Sequence, residues 1–85
     1  MSWVLIINSA AKKQLNRISE YYFAAVTQAI NELKVNPFAG DIEKMEGESN
    51  VWRRRVGSYR IFYELDITEK VVLVFRIKRR TSTTY

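Results

Sequence analysis

Three consecutive arginines, Arg53, Arg54 and Arg55, stand just before Gly57-Ser58, and Arg60 follows within Tyr59-Arg60-Ile61-Phe62-Tyr63. A second basic run, Arg76-Ile77-Lys78-Arg79-Arg80, precedes a tail that ends in Tyr85. Residues 51–85 hold nine Lys and Arg against three Asp and Glu, a surplus of six. Residues 1–50 hold five against six, so the net charge of +5 originates in the C-terminal part. Arginines interleaved with aromatics suit a surface that grips a phosphate backbone and stacks on bases.

The rest of the composition narrows the chemistry. Cysteine is absent, which removes disulfides, thiolate catalysis and cysteine metal sites. Histidine is absent too, and with it the usual general base at neutral pH and the commonest metal ligand. Any catalysis must run on Arg, Lys, Tyr, Ser, Thr or carboxylates, with no cofactor or metal expected. A sequence pI near 9.7 points to acidic partners, either nucleic acid or an acidic protein. No apolar stretch is long enough to span a bilayer, and Trp3 to Ile7 is too short for a signal peptide. A cytoplasmic location without membrane contact is the expectation.

Eighty-five residues, 47% of them hydrophobic, make one small folded domain spanning residues 1–85. Trp3 to Ile7 reads as a buried strand, and Asn8-Ser9 offers a helix cap. Ala11, Leu15 and Ile18 recur at one-turn spacing. A second helical stretch runs from about Glu20 to Val35, with Phe23, Val26, Ala29 or Ile30, and Leu33 as its apolar stripe. One long helix and a helical hairpin broken near Ser19 both fit, the hairpin better. Asn36-Pro37 ends the helix. Residues 38–50 are loop-rich and acidic, and Ile42 to Met45 can form a short edge strand. Three strands follow, about Val51–Val56, Tyr59–Asp66 and Val71–Ile77. Strand, helix pair and antiparallel three-strand meander together specify an α+β fold in one sheet.

If Gly57-Ser58 closes a two-residue hairpin, Val56 faces Tyr59, Arg55 faces Arg60, Arg54 faces Ile61, Arg53 faces Phe62 and Trp52 faces Tyr63. Alternation then puts Trp52, Val56, Tyr59, Ile61 and Tyr63 against the helices, and Arg53, Arg55, Arg60 and Phe62 on the other face. Arg55 opposite Arg60 is unfavourable in an isolated sheet, and a bound polyanion reverses the sign. The plainer alternative is a solvated face paired loosely with Glu64 and the acidic loop. Arg54 falls on the apolar face, so it must snorkel at the sheet edge or a bulge must shift the pairing. Asp41, Glu43, Glu46 and Glu48 lack calcium-loop spacing and read as solvated or docked on a basic neighbour. Lys12, Lys13 and Arg17 form a solubilising helix face, and Tyr21-Tyr22-Phe23 is core and rim.

With those residues in that order, the chain resembles a RelE/ParE-superfamily toxin of a type II toxin–antitoxin pair, its RelE-like branch above all. The resemblance covers nearly the whole length. It is carried by Asn36-Pro37-Phe38-Ala39-Gly40-Asp41, by residues 52–64, and by residues 75–80 with terminal Tyr85. It implies a metal-independent endoribonuclease that enters the ribosomal A site, contacting mRNA and ribosomal RNA. There it would cut the codon by attack of the ribose 2′-hydroxyl on the adjacent phosphate. It also implies a cognate antitoxin protein and a toxin–antitoxin hetero-oligomer. Matched residue by residue, Arg53 and Arg55 are the family's basic pair and Arg60 its phosphate clamp. Arg79 matches the stabiliser or proton donor at the leaving oxygen, and Tyr85 the tyrosine that stacks on a base. RelE-like enzymes often have lysine in the pair, whereas arginine stays protonated and is a poor base. The arginines would then act electrostatically, or the base is Tyr85 or a nearby lysine. The alternatives are a ParE-like inhibitor of DNA gyrase and a non-catalytic RNA-binding module.

Overall fold

Five strands and two helices occupy residues 3–79, the span that a computed structural model describes. The order is β1 (Val4–Ile7), α1 (Ser9–Leu15), α2 (Glu20–Val35), β2 (Ile42–Lys44), β3 (Val51–Val56), β4 (Tyr59–Asp66) and β5 (Val71–Arg79). All five strands join one sheet in the order β1-β5-β4-β3-β2. β1 runs parallel to β5, and the other neighbours are antiparallel. The α+β class and the helical pair follow the sequence expectation, and β2 is the anticipated edge strand.

Local chemistry sets the helix boundaries. The Asn8 side chain accepts from the Ala11 N–H at 2.9 Å and starts α1. Asn36 takes extended backbone before Pro37, which stops α2. Along α2, Val26, Ala29, Ile30 and Leu33 are buried. Phe23, expected in that stripe, is instead 41% exposed. At about 100° per residue Tyr22 lies nearer the centre of the stripe than Phe23 does. Tyr22 accordingly packs on the core, its ring 5.3 Å from that of Tyr59.

Both helices cover one face of the sheet. Ala11, the four α2 residues, Tyr59, Ile61, Tyr63 and Leu65 of β4, and Val72, Val74 and Ile77 of β5 form one apolar cluster. The opposite face carries no helix among the described residues. β1 is less buried than expected: Val4 is 55% and Ile6 47% exposed. It sits at the sheet edge, so only Leu5 and Ile7 turn toward the cluster.

β5 carries the irregularity that matters for the open face. Tyr63 pairs with Val74 and Phe62 with Arg76, so Phe75 has no partner across the ladder, a β-bulge. Val72 and Val74 point inward before the bulge and Ile77 after it. Phe75 and Arg76 therefore both emerge on the open side. Beyond Val74, where β1 ends, the Ile77 N–H donates to Gln14 Oε1 at 2.7 Å, so α1 satisfies one donor on the exposed edge of β5.

Candidate nucleic-acid interface

Gly57 adopts φ of +56°, which lets the chain reverse in two residues between β3 and β4. The register is the one the turn predicts: Val56–Tyr59, Arg55–Arg60, Arg54–Ile61, Arg53–Phe62 and Trp52–Tyr63. On the far side of β4, Arg60 pairs with Lys78 and Phe62 with Arg76. Two parallel rows thus cross the open face, Arg55–Arg60–Lys78 and Arg53–Phe62–Arg76. Five cations frame one aromatic ring. Like charges at directly opposed positions repel, so the arrangement is suited to an anion lying across the strands.

The acidic loop meets this grid along β3. Glu43 on β2 pairs with Arg53, and Asp41 approaches Arg55 at 3.8 Å. Both are surface ion pairs, each worth about 0–1 kcal/mol, and an entering phosphate can exchange with them. Asp41 and Glu43 thus dock on basic neighbours, as one of the two readings of this loop held.

Arg54 resolves differently from either expectation. The bulge lies between β4 and β5 and leaves its register unchanged, and its side chain is only 13% exposed. It runs over the helix-covered face, where Nη2 donates to Glu32 Oε1 at 2.7 Å and Nη1 to the Ala39 carbonyl at 3.4 Å. The hydrogen bond from Arg54 holds the Glu32 carboxyl below its usual 4.5. Gly40 makes room for the guanidinium: a Cβ there would lie 2.4 Å from Arg54 Cζ. This arginine is structural, tying β3 to α2 and the loop after it.

Of the five residues singled out from the sequence, Arg53, Arg55 and Arg60 meet on the open face. Arg79 does not join them. It pairs with Tyr59 on the helix side and lines a cavity of about 260 Å³ with Gln14, Arg17, Ile18, Tyr59 and Ile77. Tyr85 lies outside the described residues. Lys78 and Arg76 share the arginine face, and sequence reasoning did not select them. Their signal was the basic run on β5, but its phase depends on the bulge.

A family model described as ParE toxin of type II toxin-antitoxin system, parDE, matches residues 5–83. The chain belongs to this family, within the RelE/ParE superfamily of type II toxins. This toxin is 25% identical over 83 residues to a Methanocaldococcus jannaschii protein described as "Putative toxin RelE1", covering 94% of this chain and 92% of that protein. The RelE–RelB complex of Pyrococcus horikoshii OT3 matches with a TM-score of 0.84 and 23% identity, covering 98% of this chain and 100% of the other. The isolated RelE toxin of E. coli matches with a TM-score of 0.82 and 16% identity, over 95% and 87% of the two chains. The toxin therefore has a RelE-like fold. No helix among the described residues is long and apolar enough to cross a membrane.

Proposed function

We propose that this toxin is a metal-independent, ribosome-dependent endoribonuclease, an mRNA interferase that inhibits translation by cutting A-site codons. The observation that carries this reading is the row Arg55–Arg60–Lys78 with Arg53 and Arg76 beside it on an open sheet face. In the reaction the substrate's 2′-hydroxyl loses its proton as its oxygen bonds to the adjacent phosphorus, and the bond to the 5′-oxygen breaks as that oxygen takes a proton up. Fixed cations aimed at the phosphate stabilise the pentacovalent state as negative charge builds on it. Arg53 and Arg55 would orient the 2′-hydroxyl and Arg60 would clamp the phosphate. Tyr85 remains the proposed base-stacking group, whereas Arg79, on the helix side of β5, would serve as stabiliser or proton donor only to a phosphate bound at the end of that strand. The basic surface would be neutralised by a cognate antitoxin in a hetero-oligomer, a reading supported by relatives solved in complex with RelB. The cytoplasm, where ribosomes translate, is the expected location.

Primer extension on a defined mRNA, with and without programmed ribosomes, tests the proposal. Cuts within the A-site codon that require the ribosome and vanish in Arg60→Ala support it. The ParE description of the matching family model favours a second reading, inhibition of DNA gyrase. Absence of cuts under every condition, with loss of supercoiling activity in a gyrase assay, would establish that reading instead.

A further inference from the structure

The bulge at Phe75 has an outcome on the open face that phosphate binding does not use. It brings Phe75 beside Phe62, with ring centroids 6.4 Å apart and planes tilted by 46°. Arg76, displayed on the same side, places its guanidinium carbon 5.8 Å from the centre of the Phe62 ring. Both rings are only partly buried, although phenylalanine on an unpacked sheet face gains little from solvent contact. They form one wall of a shallow cavity of about 240 Å³, completed by Met45, Glu48, Val51 and Arg76.

We propose that Phe62, Phe75 and Arg76 form a stacking platform for a nucleobase of single-stranded RNA whose phosphates lie along the adjoining cationic rows. Charge sorts the two parts of a nucleotide between the two surfaces. Glu48 offsets the charge of Arg76 among the residues lining the cavity, and Met45 and Val51 offer apolar walls that suit a base. Arg53, Arg60 and Lys78, next to Phe62 on the grid, supply the positive positions that a phosphate requires. Two aromatics on adjacent central strands with flanking cations constitute a sequence-tolerant way to hold single strands, since every base has a π-face. An arginine within cation–π range of one ring adds a second planar group beside the platform. The choice of RNA as the polyanion rests on the proposed endoribonuclease reading; the stacking geometry does not. The platform requires neither the ribosome nor cleavage, and it would hold a nucleotide flanking the one that reacts.

The experiment is fluorescence anisotropy of the full chain with a short labelled 2′-O-methyl oligoribonucleotide, which 2′-hydroxyl attack cannot cut. An abasic oligomer of the same length serves as the partner probe. Phe62→Leu with Phe75→Leu keeps the apolar bulk and removes the rings. Wild type should bind the base-bearing oligomer roughly tenfold more tightly than the double variant. The two proteins should share the same salt slope and bind the abasic oligomer equally. Equal affinity of both proteins for the base-bearing oligomer would overturn the platform, as would an equal loss on the abasic one. If circular dichroism reports that the leucine pair does not fold, Phe75→Trp supplies the readout. Its added emission should be quenched by the base-bearing oligomer and not by the abasic one, and equal responses overturn the proposal. Cleavage on ribosomes is scored separately, so failure of the nuclease reading leaves this result distinct.

Discussion

Arg54 and Glu32, 22 residues apart in the chain, meet at 2.7 Å where β3 crosses α2. The middle arginine of a triplet thereby leaves the basic surface its neighbours build and becomes part of the scaffold beneath them. One strand supplies both, because alternation sends Arg53 and Arg55 to the open face and Arg54 to the other. The scaffold role and the anion-binding role can therefore be separated by mutation.

Glu32→Gln should lower stability at neutral pH while leaving Arg53, Arg55 and Arg60 in place. Because Arg54 depresses the folded-state pKa of Glu32, the ionised carboxylate stabilises the fold above its ordinary 4.5. That contribution is lost as pH falls through the lowered folded value. Urea unfolding should show the variant weaker than wild type at neutral pH and converging with it in strong acid. A difference that persists unchanged into strong acid would mean the ion pair is not its source.

Gly40→Ala should destabilise the protein by about 1–3 kcal/mol through two faults at once. The position has φ of +89°, and the new methyl would lie 2.4 Å from Arg54 Cζ. Gly47→Ala is the matched control, since Gly47 has φ of +79° but nothing within 4 Å of the added carbon. Denaturant midpoints should rank wild type first, then Gly47→Ala, then Gly40→Ala. Equal losses at the two glycines would show that the Arg54 contact gives way without cost.

Tyr63→Phe removes a hydroxyl that donates to the Pro37 carbonyl at 2.6 Å in the buried core. The acceptor left behind should cost about 1–3 kcal/mol. Burial also pushes the Tyr63 phenol up to about 12 from its usual 10.0, so the unfolded chain loses this proton first. The associated stability is complete below 10 and is lost as pH rises toward 12. Alkaline unfolding curves of wild type should fall more steeply across that window than those of Tyr63→Phe. Parallel curves would show that the phenol titrates alike in both states.

The hairpin was legible because Gly57-Ser58 pins it: one turn of known length sets every pair from Val56–Tyr59 to Trp52–Tyr63. The sorting of the three arginines followed from that register alone. What stayed hidden depended on contacts remote in sequence or on defects without a signature. Glu32 as the partner of Arg54 requires knowing how α2 crosses β3. The edge position of β1 depends on its parallel pairing with β5, which its own short apolar run does not encode. The bulge sits inside Val71-Val72-Leu73-Val74-Phe75, where every residue suits either face, so nothing local marks the residue that loses its partner.

That hidden bulge yields the functional prediction. It turns Lys78 onto the open face opposite Arg60 and leaves Arg79 opposite Tyr59 on the helix side. Lys78→Ala should therefore reduce ribosome-dependent cleavage by roughly a hundredfold, the order expected when one group stabilising developing charge is lost. The same change removes one of three cations in a single row, so the isolated protein should melt no earlier than wild type, and slightly later if repulsion dominates. Loss of activity without loss of stability is the expected pair of results, read by primer extension and thermal unfolding on one preparation. If Lys78→Ala cleaves normally while Arg79→Ala does not, the reacting phosphate sits at the end of β5 rather than across the Arg55–Arg60–Lys78 row.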